Sequence, residues 1–534
     1  MSLDGDLSLL LRDYVEHGAT VLQRLDGVFG LVMYNGRTHI LSIISDPFGY
    51  MSLFYGTRGN QTWISTSALA VAQQIQATPN ELGVHCFLRT GKVFGEMTLW
   101  QEIKRLRPAM VLEQSVAGTR ESTYWTPVID ASLSRMTLPD AVDKLAESVP
   151  ALLQRNLSRE GKVWSDLTGG FDTRFLTVLL ENAGLPFKAN FVGPDHHPDV
   201  KIAKQIIRQT GWEHQQFQLP RSWAQDSLQL LEEALYGGDG HLNVLLLLRP
   251  LWVHHREREQ FGTLLNGLGG EMWRGPNWWT ERTAIGESTS VHYERQLWAL
   301  MHPIAEQVLV SNSKRMVEDE LLRQFRIVGE RCPDAPNTFK LDSVWAYRET
   351  GHVGAFTSCA AGLLRVIPPL FSKDIVDLVM SFDYRWRVNN ALVKHWLFRT
   401  NRAIANLQVE GRGPAAPLRI DNWYRFIPSR FTYAYRAIDK LSQVGLGRSI
   451  RGHARPEGYS RLEFRQELIQ WAANKHLLDP AQMHSGKLYH SNQLAAFLQE
   501  AQTEKFKQDE FLGRIITVEM ALRETGAVLQ PKSI

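Results

Sequence analysis

Cysteine is scarce: Cys86, Cys332 and Cys359 are the only three in 534 residues, far apart and without a CxxC pair. That spacing excludes a disulfide framework and a zinc site, and it fits a reducing, cytoplasmic compartment. Long hydrophobic runs are lacking too, since no stretch approaches the ~18 to 20 apolar residues that a membrane helix requires. The opening "MSLDGDLSLLLRDYVEHG" carries acidic residues where a secretory leader would be basic, so neither a leader nor a membrane anchor is expected. No charge sign dominates, with 59 Lys and Arg against 56 Asp and Glu and no basic stripe or tail. This balance argues against nucleic acid or an anionic membrane as a partner.

What is present is enough apolar material, 44% of the chain, for more than one core, and the length favours two domains. Residues 20 to 75 contain "GVFGLVMYN", "THILSIIS", "SLFYGT" and "TWISTS", β-prone runs separated by the turn signals "NGR", "DPFG" and "RGNQ". They predict an antiparallel sheet region. A helix over "NELGVHCFLR" and strand material in "IKRLRPAMVLEQ" and "TYWTPV" follow, and the first domain, 1–125, is expected to end there.

From residue 136 the period changes. "LPDAVDKLAESVPALLQRNL" sets Ala141, Leu145, Val149 and Leu152 at helical spacing, and "GKVWSDL" reads as a buried strand. Helix, strand, helix and strand then follow in "RFLTVLLENAG", "PFKANFV", "PDVKIAKQIIRQTG" and "EHQQFQL". Such alternation predicts an α/β fold with a doubly wound parallel sheet in the second domain, 126–534. "TLLN" is a further candidate strand, and from about residue 290 the pattern is mostly helical, without repeats or low-complexity tracts.

Two glycine-rich loops follow predicted strands. In "SDLTGGFDTR", Thr168, Gly169 and Gly170 lie between a strand and a helix, where bare N–H groups, a hydroxyl and a helix N-terminus bind an anion. The glycines suit positive φ and close approach of a ligand, and the hydroxyls of Thr168 and Thr173 can donate to phosphate oxygens. Asp172 would repel a phosphate unless a cation lay between them, which points to Mg²⁺. An N-capped helix after a glycine turn is the bland alternative, and the strand before the loop and the helix after it weigh against that.

Residues 168–173 resemble the SGGxDS pyrophosphatase loop of the asparagine synthetase superfamily, with Thr at both ends. "NGLGGE" follows in that superfamily's order. "LQRLDGVFGLVMYNGRTHILSIISDPFGYMSLFYG" with "WISTS" resembles its amidotransferase domain, and "IPPLFSKDIVDLVMSF" resembles a later stretch. The resemblance implies an α+β, Ntn-like first domain followed by a PP-loop, HUP-like synthetase domain with a helical C-terminal part. It also implies ATP and Mg²⁺ as cofactors, held by Leu167, Thr168, Gly169, Gly170, Asp172, Thr173 and Val192 and by Asn266, Gly267, Gly269 and Gly270, with Asp172 and Glu271 as the metal carboxylates. The implied function is an AMP-forming amide ligase that adenylates a carboxylate and passes it to an amine, the acceptor being a small molecule or a peptide.

Departures from the family sharpen the expectation. Leu268 stands where asparagine synthetases have a Glu for the amine step and β-lactam synthetases a Tyr, so the base is unassigned. The late-loop Lys has no counterpart in "VEGRGPAAP", which leaves Lys394 or Arg412 to supply the positive charge at the phosphates. Residue 1 aligns inside the amidotransferase domain, and no Cys precedes Cys86. The first domain is therefore expected to be truncated and inactive toward glutamine, with an uncovered sheet edge that favours a homodimer or a docking partner.

Trp273, Arg274, Trp278 and Trp279 follow the second loop and read either as an aromatic substrate wall or as core packing. His196 and His197 diverge as neighbours and are not expected to bind metal. Asp239 and His241 lie in "YGGDGHLN", read either as part of an acceptor site or as a helix-linking turn. Two other functions stay open. One is macrolactam closure of a peptide natural product, as in lasso-peptide cyclases, and the other is a catalytically weakened ATP-binding partner protein.

Overall fold

The structure is a computed structural model that describes residues 3–275, 278, 291–301, 304–310, 312–410, 412–427 and 460–529. Helix α1, Leu3–His17, leads into two small antiparallel sheets. The first has the order β1 (Gly30–Asn35), β2 (Ile40–Ser45), β6 (Met110–Ser115), β7 (Gly118–Thr123). The second has the order β4 (Gln61–Ser65), β3 (Phe54–Arg58), β5 (Ile103–Arg105).

The predicted strand in "TYWTPV" does not form, and β7 lies just before it. Every residue of β7 is exposed, so no apolar alternation marked it in the sequence. Tyr124 instead turns inward, its hydroxyl donating to the Ser45 carbonyl at 2.8 Å, and Pro127 has no N–H to offer a ladder.

The "DPFGY" turn is organised by Asp46. Its buried carboxylate accepts the backbone N–H groups of Phe48, Tyr50 and Met51 at 2.7 to 3.1 Å. This compact turn inserts Phe48 and Tyr50 into the core of the following region, where both rings meet Phe371. Helices α2 (Ala68–Ile75) and α3 (Glu81–Thr90) belong likewise to a core shared with the C-terminal helix Asp509–Thr525.

The third sheet is parallel throughout. Its order is β10 (His214–Phe217), β9 (Phe187–Val192), β8 (Val163–Asp166), β11 (Thr263–Leu265), β12 (Arg365–Ile367). One face is covered by α4 (Leu138–Leu157), α5 (Asp172–Asn182) and α6 (Pro198–Thr210), with the helices Lys373–Ser381 and Ala391–Thr400. The other face packs Trp164, Leu264 and Val366 against the helices Val244–Glu257 and Val353–Ala361. The expected α/β fold with a doubly wound parallel sheet is thus present, with antiparallel sheets before it and a mostly helical part after it.

The fifth strand, β12, had no sequence signal, being three residues between a helix and the "IPP" turn. In sequence order the parallel sheet reads third, second, first, fourth, fifth. The direction of winding therefore reverses between β8 and β11, and the carboxyl ends of these two neighbours open the crevice where ligands bind in such sheets.

Candidate functional site

Both glycine loops leave the sheet at that switch point. The first, 168–171, joins β8 to α5, and the second, 266–270, follows β11. Neither Gly169 nor Gly170 adopts positive φ, which corrects the expectation from sequence. Their role is steric. A Cβ on Gly169 would lie 2.7 Å from Asp199 Oδ1 and 2.9 Å from Ile202, and one on Gly170 would lie 3.0 Å from Thr168 Oγ1.

The loop is tied by its own groups. Thr173 Oγ1 accepts Thr168 N–H at 3.0 Å, the two hydroxyls pair at 3.0 Å, and Thr168 Oγ1 accepts Gly170 N–H at 3.0 Å. Gly169 N–H donates to Asp199 at 3.0 Å. Leu167 is fully buried and joins the core, so only its main chain faces the loop. The Val192 side chain packs on the opposite face of the sheet, with Trp164 and Phe217.

The second loop presses directly on the first. A Cβ on Gly267 would lie 2.9 Å from Thr173 N, and one on Gly270 only 2.3 Å from Asp172 Cβ. Gly269, at φ +87°, lies against Phe371. Asn266 is buried and its Oδ1 accepts Leu268 N–H at 3.3 Å, while the Leu268 side chain packs on the core. Glycine is therefore required here because two backbones and a carboxylate share one small space.

That contact brings Asp172 and Glu271 together, and one guanidinium spans them. Arg274 Nη1 lies 3.0 and 3.1 Å from the two Asp172 oxygens, and Nη2 donates to Glu271 Oε1 at 2.9 Å. Burial raises the Asp172 pKa above the ordinary carboxylate range. Arg274 opposes that rise, Glu271 adds to it, and Arg412 opposes it.

Two further cations flank the loop. Lys394 Nζ sits 6.0 Å from the Phe171 ring, and its pKa is lowered by burial and by Arg412. Arg412 lies on a turn closed by Val409 N–H to the Gly413 carbonyl at 3.1 Å, and Glu410 N–H donates to the Gly169 carbonyl at 3.0 Å. Arg174 holds the start of this turn through the carbonyls of Leu407 and Gln408. Gly411, within the same stretch, lies outside the described residues.

The other candidates take structural places. Trp273 is buried edge-on against Phe175, 4.9 Å between centroids, and Trp278 is buried against Arg387 and Tyr384, so both serve packing and form no substrate wall. Trp279 lies outside the described residues. His197 caps α6 by accepting Asp199 N–H, and His196 is exposed. Asp239 accepts Ser67 Oγ–H at 2.6 Å and Leu69 N–H at 3.3 Å, and His241 Nε2 accepts Leu99 N–H at 3.2 Å. The "YGGDGHLN" stretch is therefore a joint between the antiparallel and parallel regions.

Three features escaped sequence reasoning. Arg274 stands three residues after Glu271 on a 3₁₀ turn, a spacing that could have revealed the pair. Arg387, buried with Asp342 at 2.7 Å, donates to the Met272 carbonyl at 2.8 Å and fixes the second loop, with no local signal. Asp166 ends β8 opposite Asn190, whose amide donates to Glu257, and Glu257 meets His254 at 2.7 Å. Burial and the Glu257 charge raise the Asp166 pKa, and His254 opposes that rise.

Among the described residues no group of three or more His, Cys, Asp and Glu could hold a metal. The donor set at the loops is two carboxylates, which suits Mg²⁺, an ion that completes its shell with water and phosphate oxygens. Arg412 and Lys394 add positive charge near the first loop, as a polyphosphate requires.

Residues 1–125 match the model of the glutamine amidotransferase domain. The glutamine-hydrolysing asparagine synthetase 1 of Lotus japonicus is 21% identical over 50% of this chain and 43% of its own length. That of Sandersonia aurantiaca is 21% identical over 74% of this chain and 64% of its own, and synthetase 3 of Bacillus subtilis 23% over 33% and 29%. The chain spans less than two thirds of the length of each of these relatives. Among solved structures, a glutamine-dependent NAD⁺ synthetase from Acinetobacter baumannii aligns with 48% of this chain and 64% of its own at 13% identity. Its TM-score of 0.17 is too low to bear on the fold.

Proposed function

Proceeding from membership of the asparagine synthetase superfamily, we propose that this chain is an ATP-dependent, AMP-forming ligase that joins a carboxylate to an amine. The observation that carries the reading is the meeting of Asp172 and Glu271 across one guanidinium at the switch point of the sheet. Bound Mg²⁺ would supply charge neutralisation between these carboxylates and the nucleotide's phosphates. Thr168 and Thr173 would exchange their mutual hydrogen bond for bonds to phosphate oxygens, and the α5 N-terminus that follows the loop would favour the same anion. Lys394 and Arg412 would stabilise the charge that develops as the acid's oxygen bonds to the α-phosphorus and pyrophosphate leaves. The amine then bonds to the acyl carbon, AMP departs, and the proton goes to a base that Leu268 cannot provide.

Glutamine is left out of the proposed reaction. Burial pushes the thiols of Cys86 and Cys359 up to about 12, which disfavours the thiolate that a glutamine-cleaving nucleophile needs. The acid and the acceptor are small molecules or a peptide, and macrolactam closure belongs to the same chemistry.

Exchange of labelled pyrophosphate into ATP, with Mg²⁺ and a panel of acids, tests the proposal. Asp172→Asn keeps the shape and removes the charge, and it should lower exchange ~100-fold or more, the scale of losing one preorganised charge contact. Unchanged exchange in that variant would remove Asp172 from the site. The Leu268 side chain, packed on the core, also favours a second reading, a nucleotide-binding partner without turnover. ATP binding without exchange for any acid would select it.

A further inference from the structure

Arg274 is more than a neighbour of the carboxylates. Its guanidinium already occupies the oxygens that a cation would take, both of Asp172 and one of Glu271. Its main chain has little freedom to leave. Gly270 is wedged on Asp172, Arg387 holds the Met272 carbonyl, and a Cβ on Gly275 would strike the Trp278 ring at 2.1 Å. The side chain is 23% exposed and can swing away from the pair without any movement of the loop.

We propose that Arg274 is a built-in competitor for the metal and makes metal binding depend on nucleotide. A divalent ion arriving alone must displace the guanidinium, which then has no anion to meet. An ion arriving with a polyphosphate brings its own replacement partner, because the freed guanidinium can pair with phosphate oxygens in the same crevice. The two carboxylates are held together without a metal, and an idle metal is disfavoured. The inference rests on the ligase reading only in taking Asp172 and Glu271 as the metal carboxylates.

The test is Mn²⁺ retained by the full chain in equilibrium dialysis, with and without the non-cleavable analogue α,β-methylene-ATP at equal concentration in both chambers, so that metal bound by the analogue alone is cancelled. The wild type should bind Mn²⁺ weakly alone and tightly with the analogue. Arg274→Gln should bind Mn²⁺ alone roughly tenfold more tightly, the scale of two partly exposed ion pairs, and should lose most of its dependence on the analogue. Arg274→Lys keeps the charge but not the fork that spans both carboxylates, and its Mn²⁺ affinity without the analogue should fall between those of the wild type and the neutral variants. Arg274→Met provides a second neutral variant should the glutamine prove unstable. Mn²⁺ affinity in the neutral variants equal to or below that of the wild type, with analogue-dependent binding retained, overturns the competitor role and leaves the ligase reading intact. No Mn²⁺ binding by wild type or variant even with the analogue, or undiminished binding in Asp172→Asn, overturns the metal clamp itself.

Discussion

Lys394 and Arg412 show how far single residues carry the chemistry. Each is an ordinary basic residue in the sequence, on a helix and on a turn; the approach of the turn to Gly169 brings the Arg412 charge to bear on Asp172, while Lys394 stands beside Phe171 of the same loop and feels Arg412. Lys394→Met and Arg412→Ala should each lower pyrophosphate exchange roughly tenfold, and the double variant ~100-fold or more, as expected for charges aimed at a developing anion. Exchange that does not change in either single variant would return both to the surface. At this scale the glycine and carboxylate pattern of the two loops was legible, because backbone clearance and charge need particular residue types. The Arg274 bridge was overlooked among aromatic neighbours, since a sequence does not say which of several side chains turns inward.

At the scale of elements, the site is a contact between two loops. It exists because β8 and β11 are neighbours, though they are far apart in the chain. Gly270→Ala tests that contact, since its Cβ would fall 2.3 Å from Asp172 Cβ. The variant should lose ~1 to 3 kcal/mol of stability, the usual cost of overpacking, and also lose ATP binding measured by titration calorimetry. Gly262→Ala, with nothing within 4 Å of its Cβ, is the control and should bind ATP normally. ATP binding that survives in Gly270→Ala would mean that the second loop is not part of the nucleotide site. The strands β8, β9 and β11 were readable from short apolar runs and β10 from its place in the alternation, whereas β7 and β12 were not. One is wholly exposed and the other is three residues long, so neither carries the alternation that betrays a strand.

At the scale of the whole molecule, the antiparallel and parallel regions support one another. Phe48 and Tyr50 from the Asp46 turn stack on Phe371, and Phe371 backs Gly269 of the second loop. A second joint is made by Asp239, whose carboxyl is pushed by burial from an ordinary 3.8 to about 7 although Ser67 and Leu69 donate to it. Between those values the folded chain keeps a proton that the unfolded chain releases. Stability therefore falls as pH rises through this window, and the penalty is complete above about pH 7. Asp239→Asn can still accept both hydrogen bonds and should melt at a higher temperature than the wild type near pH 8. The gap should narrow as pH falls toward about 5. A gap that stays constant across this range would show that Asp239 is ionised at no cost in the folded protein.

By itself the sequence determined the fold class, the alternation of helix and strand from residue 136 to 219, and the two loops with Asp172 and Glu271. Those features rest on local periodicity and on residue types that few backbones tolerate. Only the tertiary structure decided that Arg274 spans the carboxylates, that Arg412 acts on Asp172 while Lys394 lies by Phe171, and that Asp239 and His241 are a joint. Each of these depends on which distant segments the parallel sheet sets side by side, and burial then fixes the partners and the charge they carry.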